Sequence, residues 1–394
     1  MKQKIHIHLD PIGGISGDMF ISSMLDAEPR LKIKVKTLSE KIVKDIKVSI
    51  KKKSNQHISG TKFSVELLSK NNNQHRSFND IKKLIEKSQI NIEVKKIAIN
   101  IFHILAEAES KVHGISLEKV SFHEIGAWDS IIDNIVAAFI IHTFTKKYEI
   151  TWSCANVPIG KGMVKTAHGL LAIPAPATAI LLKNINVIDD GISGERTTPT
   201  GAAILSFLMP YQNISSAGIG NLKIYKQGIG IGSKNFKVIP NILRVLLFKE
   251  AKSPVRNTVN EVISEITFDI DDQSPEDLAL SLNILRKNKG IIDIVQKPYT
   301  GKKSRIIISV IILCRVEKTE KLIESIFNET STLGLRHSIK SRYVLNRKIT
   351  KISHFNIKET KRPSGMLTKK VESNDLKNYS YINRKSIKDK IENN

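Results

Sequence analysis

The sequence predicts an α/β (α+β) protein with a larger N-terminal α/β domain and a smaller C-terminal βαββαβ domain. Three observations predict it. Residues 4–9 alternate in polarity and run through a Gly-rich turn into an apolar stretch at 19–27, a strand, loop and helix in sequence. Residues 92–113 place Ile97, Ile101, Ile104, Leu105 and Ala108 on one helical face. After a polar linker carrying Pro254, strand and helix patterns follow in the order βαββαβ. A length of 394 residues fits two or three domains. The boundaries read as 1–250, 258–358 and a basic tail at 359–394.

Each element has its own signal. Residues 47–68 read as two strands around a turn at Gly60, and 80–87 as a short amphipathic helix. Gly114 is a C-terminal stop for the long helix before it. Residues 120–124 read as a strand, and Asp129 opens an apolar helix reaching about Phe144. A strand follows at 150–155. Pro174 starts a helix to Leu182, and a small-residue helix runs over 199–208. Glycines at 228, 230 and 232 precede a strand at 241–248. In the C-terminal part, strands are expected at 262–269, 291–295, 305–314 and 336–344, with helices at 275–289 and 317–330. That order suggests a ferredoxin-like module. Beyond Lys358 the chain is lysine-rich and weakly patterned.

Composition narrows the function classes. The chain has 62 Lys+Arg against 38 Asp+Glu, a net charge of +24, with 41% hydrophobic residues. A core is available and a disordered chain is excluded. Residues 30–100 carry a net +12, residues 340–394 a net +10, and residues 120–220 a net −1. The excess points to anionic partners and lies in two flanks around a neutral centre. Aromatics are only 6%, too few to interleave the lysines as stacking platforms, so nucleic acid is not the expected partner. No apolar run reaches the ~20 residues of a spanning helix, and no signal peptide is visible, so the expected compartment is the cytoplasm. Cys154 and Cys314 both fall in strand patterns and read as buried small apolar residues.

Four groups of residues carry candidate chemistry. His6, His8 and Asp10 share a strand face, and Asp18 follows the turn Gly13-Gly14-Ile15-Ser16-Gly17. His and carboxylate suit Ni, Zn or Mn. The alternatives are a hydrogen-bonded strand face and a helix-capping acid. His123, Glu124, Asp129 and Asp133 form the second group. Asp133 interrupts an apolar helix, where a carboxylate needs a partner or a metal. The alternatives are an N-cap for Asp129 and a buried acceptor for Asp133. His168, then Thr198 and Thr200 at a helix start, form the third, suited to capping or to an anion. In the fourth, Asp269, Asp271 and Asp272 end one strand, and Lys302, Lys303 and Arg305 start another. Acids for a divalent ion beside cations for phosphate suit a metal–triphosphate, and solvated strand ends are the alternative.

Read together, these motifs resemble one family. Asp10-Pro-Ile-Gly-Gly-Ile-Ser-Gly-Asp18-Met19-Phe20, Phe122-His123-Glu124-Ile-Gly-Ala-Trp128-Asp129-Ser-Ile-Ile-Asp133 and His168-Gly-Leu-Leu-Ala-Ile-Pro174-Ala-Pro176 are similar to segments of the nickel insertion protein LarC family. So are Gly194-Glu195-Arg-Thr-Thr198-Pro199-Thr200-Gly201, Pro240-Asn241-Ile-Leu-Arg244, Asp271-Asp272-Gln-Ser-Pro275-Glu276 and Glu329-Thr-Ser-Thr-Leu-Gly334-Leu-Arg336. The resemblance implies a nickel chelatase of the lyase class that couples metal insertion to CTP. Its substrate would be pyridinium-3,5-bisthiocarboxylic acid mononucleotide, and its product the nickel-pincer cofactor of lactate racemase-like enzymes. It implies CTP with Mn2+ or Mg2+ in the C-terminal domain, at Asp271, Asp272, Lys302, Lys303, Arg305 and Arg336. Gly13, Gly14, Ser16, Gly17, Thr198 and Thr200 would hold anionic groups. Ni2+ would meet His6, His8, Asp10, Asp18, Asp129, Asp133 and His168, and His123 or Glu124 would take the ring proton. A homo-oligomer and a transient contact with the cofactor-accepting enzyme are expected. This chain departs from the family's Met-Lys-Lys-Gly-Arg-Pro turn, with Gly301-Lys302-Lys303-Ser304-Arg305-Ile306. Two other classes stay open: a nickel-storing or delivery protein without catalysis, and a basic nucleic-acid-binding protein.

Overall fold

The computed structural model describes residues 2–43, 45–68, 76–122, 126–166, 169–212, 222–250, 255 and 257–392. The chain divides into two compact units at Lys249 and Glu250.

In the first unit, β1 (Gln3–Asp10) leads through the glycine loop into α1 (Gly17–Ala27) and α2 (Lys32–Ile42). A hairpin follows, β2 (Ile46–Asn55) and β3 (Ile58–Leu67). A short β4 (Arg76–Ser77) precedes α3 (Phe78–Lys87) and α4 (Ile92–His113). Then come β5 (Ser121–Phe122), α5 (Trp128–Lys147), β6 (Tyr148–Cys154) and β7 (Val157–Pro158). The hairpin β8 (Met163–Thr166) and β9 (Gly169–Ala172), α6 (Pro176–Leu181), β10 (Val187–Ile188) and α7 (Pro199–Leu208) follow. β11 (Leu222–Ile231) and β12 (Ile242–Glu250) complete the unit.

Six strands form the main sheet in the order β2-β3-β11-β12-β1-β6. β1 lies antiparallel to β12 and parallel to β6. Its period of two sends Ile5, Ile7 and Leu9 into the core, where they join Phe20 and Met24 of α1 and Ile132 and Ile135 of α5. α5 buries residues all round its axis in its middle turns, where residues 135–141 are all apolar. Each such side chain removed from water contributes about 1.5–3 kcal/mol.

In the second unit, β13 (Thr258–Ile270), α8 (Pro275–Arg286), β14 (Ile291–Thr300), β15 (Ile306–Cys314), α9 (Thr319–Glu329) and β16 (Arg336–Leu345) follow in the order βαββαβ. The four strands pair antiparallel in the order β14-β15-β13-β16. Ile266, Phe268, Val310 and Ile312 pack under Leu278 and Leu282 of α8 and Leu322 and Ile326 of α9.

Several expectations are corrected. The hairpin turns at Gln56 and His57, both at positive φ, and Gly60 lies within β3. A Cβ at Gly60 would stand 2.6 Å from the Ile229 carbonyl oxygen, so the glycine serves a close strand approach. Gly228 and Gly230 lie inside β11, and Cβ atoms there would meet the carbonyl oxygens of Ser23 and Met19 at 2.1 and 2.2 Å. That glycine stripe seats α1 on the sheet. The stretch 359–394 holds the end of β18 (Phe355–Lys361), which pairs with β17 (Arg347–Ile352) and β19 (Leu367–Val371), and then α10 (Tyr381–Glu392). Phe355, Ile357, Val371 and Leu376 give it a small core. No helix among the described residues is long and apolar enough to cross a membrane.

Candidate metal and substrate site

The first unit gathers three helix N-termini on one cavity of about 410 Å³. The loop between β1 and α1 is the first wall. Gly14 takes φ +116°, and a Cβ there would stand 1.9 Å from the Arg196 carbonyl oxygen, so only glycine fits. Ile15 bridges Thr197, with its N–H donating to the Arg196 carbonyl at 3.1 Å. Arg196 then reaches back. Its Nε donates to the Gly13 carbonyl at 2.8 Å and its Nη2 to the Ile12 carbonyl at 2.7 Å. Its Nη1 holds both oxygens of Asp190 at 2.9 and 2.8 Å. The guanidinium is fully buried over the Phe236 ring.

The N-termini of α1, α5 and α7 supply the rest. Thr198 caps α7 by accepting the Gly201 N–H, and its hydroxyl lies 3.0 Å from that of Thr200. The Gly17 N–H points at Thr200 Oγ1, 3.4 Å away. On α5, Arg76 lies 4.0 Å over the Trp128 ring and donates to the Gly126 carbonyl, which fixes the helix start. Asp129 is one residue inside that helix, with the cap position at Ala127, and accepts the Ser130 N–H at 2.8 Å. Asp133 follows one turn later. It packs directly against Gly17, where a Cβ would stand 2.7 Å from Asp133 Oδ2.

Asp18, Asp129 and Asp133 all line this cavity. Burial, and then the charges of Asp18 and Asp129, hold Asp133 well above the usual carboxylate range, while a hydrogen bond from the Asp18 N–H opposes them. Burial also raises Asp18, against the Ser16 hydroxyl that donates to it and the charge of Lys62. Burial, and to a lesser degree the charge of Lys53, holds Lys62 below the usual lysine range, and Asp18 only partly offsets this. Three acids beside three positive helix ends make a site whose negative charge is only partly compensated. A divalent cation placed between these acids would offset that repulsion and favour their ionised forms. Among the described residues, no three His, Cys, Asp or Glu side chains are gathered tightly enough to enclose an ion alone.

Of the residues singled out in the sequence, Ser16, Asp18, Asp129, Asp133, Thr198 and Thr200 line the cavity, and Gly13, Gly14 and Gly17 shape its loop. Three others are held elsewhere. Asp10 pairs with Arg244, whose Nε stands 3.0 Å from Oδ2. His6 is buried with both ring nitrogens engaged, at 2.9 Å from Thr151 Oγ1 and 2.7 Å from Ser153 Oγ. Burial first, then His8, lowers it to about 4. His8 Nδ1 shares the Ser153 hydroxyl at 2.8 Å. His123, Glu124 and His168 lie outside the described residues. Arg196, Ser130 and Lys234 line the cavity and were missed by sequence reading, as was Lys62, which stands beside it on β3 and donates to Ser233 of the lining at 2.8 Å. Arg196 sits inside a quoted motif, but nothing in the sequence marks it as buried.

The second unit brings its acids and cations to one end of the sheet. Arg336 Nη2 donates to Asp269 at 3.0 Å, and Arg305 Nη1 stands 3.4 Å from Asp271. Ser331 donates to Asp272. Partial burial pushes Asp269 up, but hydrogen bonds from Ser309 and Arg336 outweigh it and leave the acid below its usual range. Lys302 is exposed in the short turn before β15.

Comparison with known proteins places this architecture. The family described as "Nickel insertion protein" matches residues 7–390. The chain belongs to that family. A pyridinium-3,5-bisthiocarboxylic acid mononucleotide nickel insertion protein of Akkermansia muciniphila is 36% identical over 345 residues, 86% of this chain and 82% of that one. Its counterpart in Staphylococcus epidermidis is 35% identical over 376 residues, 94% and 91% of the two chains. The apo C-terminal domain of a LarC cyclometallase, involved in making the cofactor of lactate racemase, is a solved structure with 24% identity. It covers 30% of this chain and 83% of that one, at a TM-score of 0.28, too low to carry an argument.

Proposed function

We propose that this protein inserts Ni2+ into pyridinium-3,5-bisthiocarboxylic acid mononucleotide in a CTP-dependent reaction, forming the nickel-pincer cofactor. The observation that carries the reading is the convergence of Asp18, Asp129 and Asp133 on one cavity at three helix N-termini. The carboxylates hold nickel first. The thiocarboxylate sulfurs of the substrate are softer donors and take over the nickel from the carboxylates. The substrate phosphate is held by the capped start of α7, at Thr198 and Thr200, with Lys62 and Lys234 close by. Forming the nickel–carbon bond replaces the ring hydrogen, so one proton leaves, and His123 or Glu124 is the proposed acceptor.

The second unit is proposed to bind CTP with Mn2+ or Mg2+. Asp271 and Asp272 would meet the metal, and Lys302, Lys303, Arg305 and Arg336 the phosphates. We read its element and strand order as ferredoxin-like. Incubating the pure protein with Ni2+, CTP and the pyridinium mononucleotide tests the proposal. Cofactor absorbance should appear together with loss of CTP. A protein that only stores or delivers nickel would bind the metal and yield neither, and that result overturns the reading.

A further inference from the structure

A second cavity, of about 570 Å³, lies in the first unit between α2 and the last turns of α5, where the α3–α4 turn and the start of α4 also line it. Its lining is apolar at Leu38, Ile90, Val94 and Phe139. Ile33, also in the lining, is 79% exposed, so the cavity is an open trough. Lys34, Lys41 and Lys146 line it with His142, and no Asp or Glu does. Among the described residues none of the three lysines meets a carboxylate within ion-pair distance. Lys41 and Lys146 stand near the C-terminal ends of their helices, where a cation favours the helix dipole. Lys34 does not. It stands in the first turn of α2, where a cation opposes the dipole and no acid offsets it. Its position is not accounted for by the helix it belongs to.

We infer that this trough docks an acidic amphipathic helix of a partner protein. The walls suit a rod. Lys34 and Lys41 are seven residues apart on α2, as are Phe139 and Lys146 on α5, so each wall runs about 10 Å, or two turns. An apolar stripe at i, i+3, i+4 and i+7 fills the floor, and acids flanking it meet the unpaired lysines. A second copy of this chain is a poor occupant, because it brings a net charge of +24 to a basic rim.

The test uses the full chain and a fluorescent peptide of about 15 residues, long enough for marginal helicity, with a Leu stripe and Glu flanks. Anisotropy should show saturable binding at one peptide per chain that weakens with salt. Lys34→Glu, Lys41→Glu and Lys146→Glu combined should weaken it about tenfold, the sum of three exposed pairs, and leave cofactor formation unchanged. A scrambled peptide of the same composition should bind less tightly. Three results would overturn the proposal: no binding, equal binding by the triple variant, or equal binding of the scrambled peptide. Displacement by stoichiometric decanoate would also overturn it, by assigning the trough to a small anionic amphiphile.

Discussion

Asp133 is the residue on which site and stability meet. Burial and two neighbouring acids favour its protonated form in the folded protein. A raised folded pKa gives stability that is complete below the unfolded value of about 4 and is lost as pH rises through the folded pKa. Asp133→Asn removes that loss. The variant should therefore gain thermal stability over the wild type progressively above about pH 4, by ~2–4 °C for each kcal/mol relieved. Thermal melts across pH check it, and a gap that shrinks as pH rises would contradict the assignment. Arg196 shows the opposite case. Arg196→Met leaves two loop carbonyls and Asp190 without their donor, and should cost about 3–5 kcal/mol in denaturant unfolding. Asp133 was visible in the sequence because a lone acid in an apolar helix has to be explained. Arg196 was not, since a buried arginine and a surface arginine look alike in a single sequence.

Helices and loops were legible where period or capping dominated. β1 and α5 follow from alternation and from an apolar run, and α7 from Thr198 followed by Pro199. Glycines misled. Gly60 reads as a turn, but two residues at positive φ, Gln56 and His57, make the turn, and the glycine serves packing. The same logic gives a test at the α1 start. Gly17→Ala pushes a methyl against the Asp133 carboxylate without leaving the helix region, so it should reduce nickel binding about tenfold or more. Nickel titration by calorimetry measures it, and an unchanged affinity would remove Asp133 from the metal site.

Across the whole molecule, the distribution of charge pointed to the region of the cavity and not to its individual residues. The neutral centre does carry the acid-lined cavity, while the basic flanks include hairpin β2–β3, which contributes Lys62 beside it. The C-terminal stretch looked like a tail because its lysines dominate a short apolar pattern, Phe355, Ile357 and Val371, that closes only when three strands meet. In the second unit, Arg305→Ala and Arg336→Ala together should weaken CTP binding roughly tenfold to a hundredfold while nickel binding is kept. Calorimetry with each ligand separates the two sites. Asp18, Asp129 and Asp133 on one cavity are the proposed nickel-handling acids. Cofactor formed from Ni2+, CTP and the pyridinium mononucleotide by Asp129→Asn/Asp133→Asn, compared with the wild type, tests this most directly. With a folded variant that still binds CTP, the cofactor yield should fall roughly a hundredfold. An unchanged yield would mean that nickel is handled elsewhere.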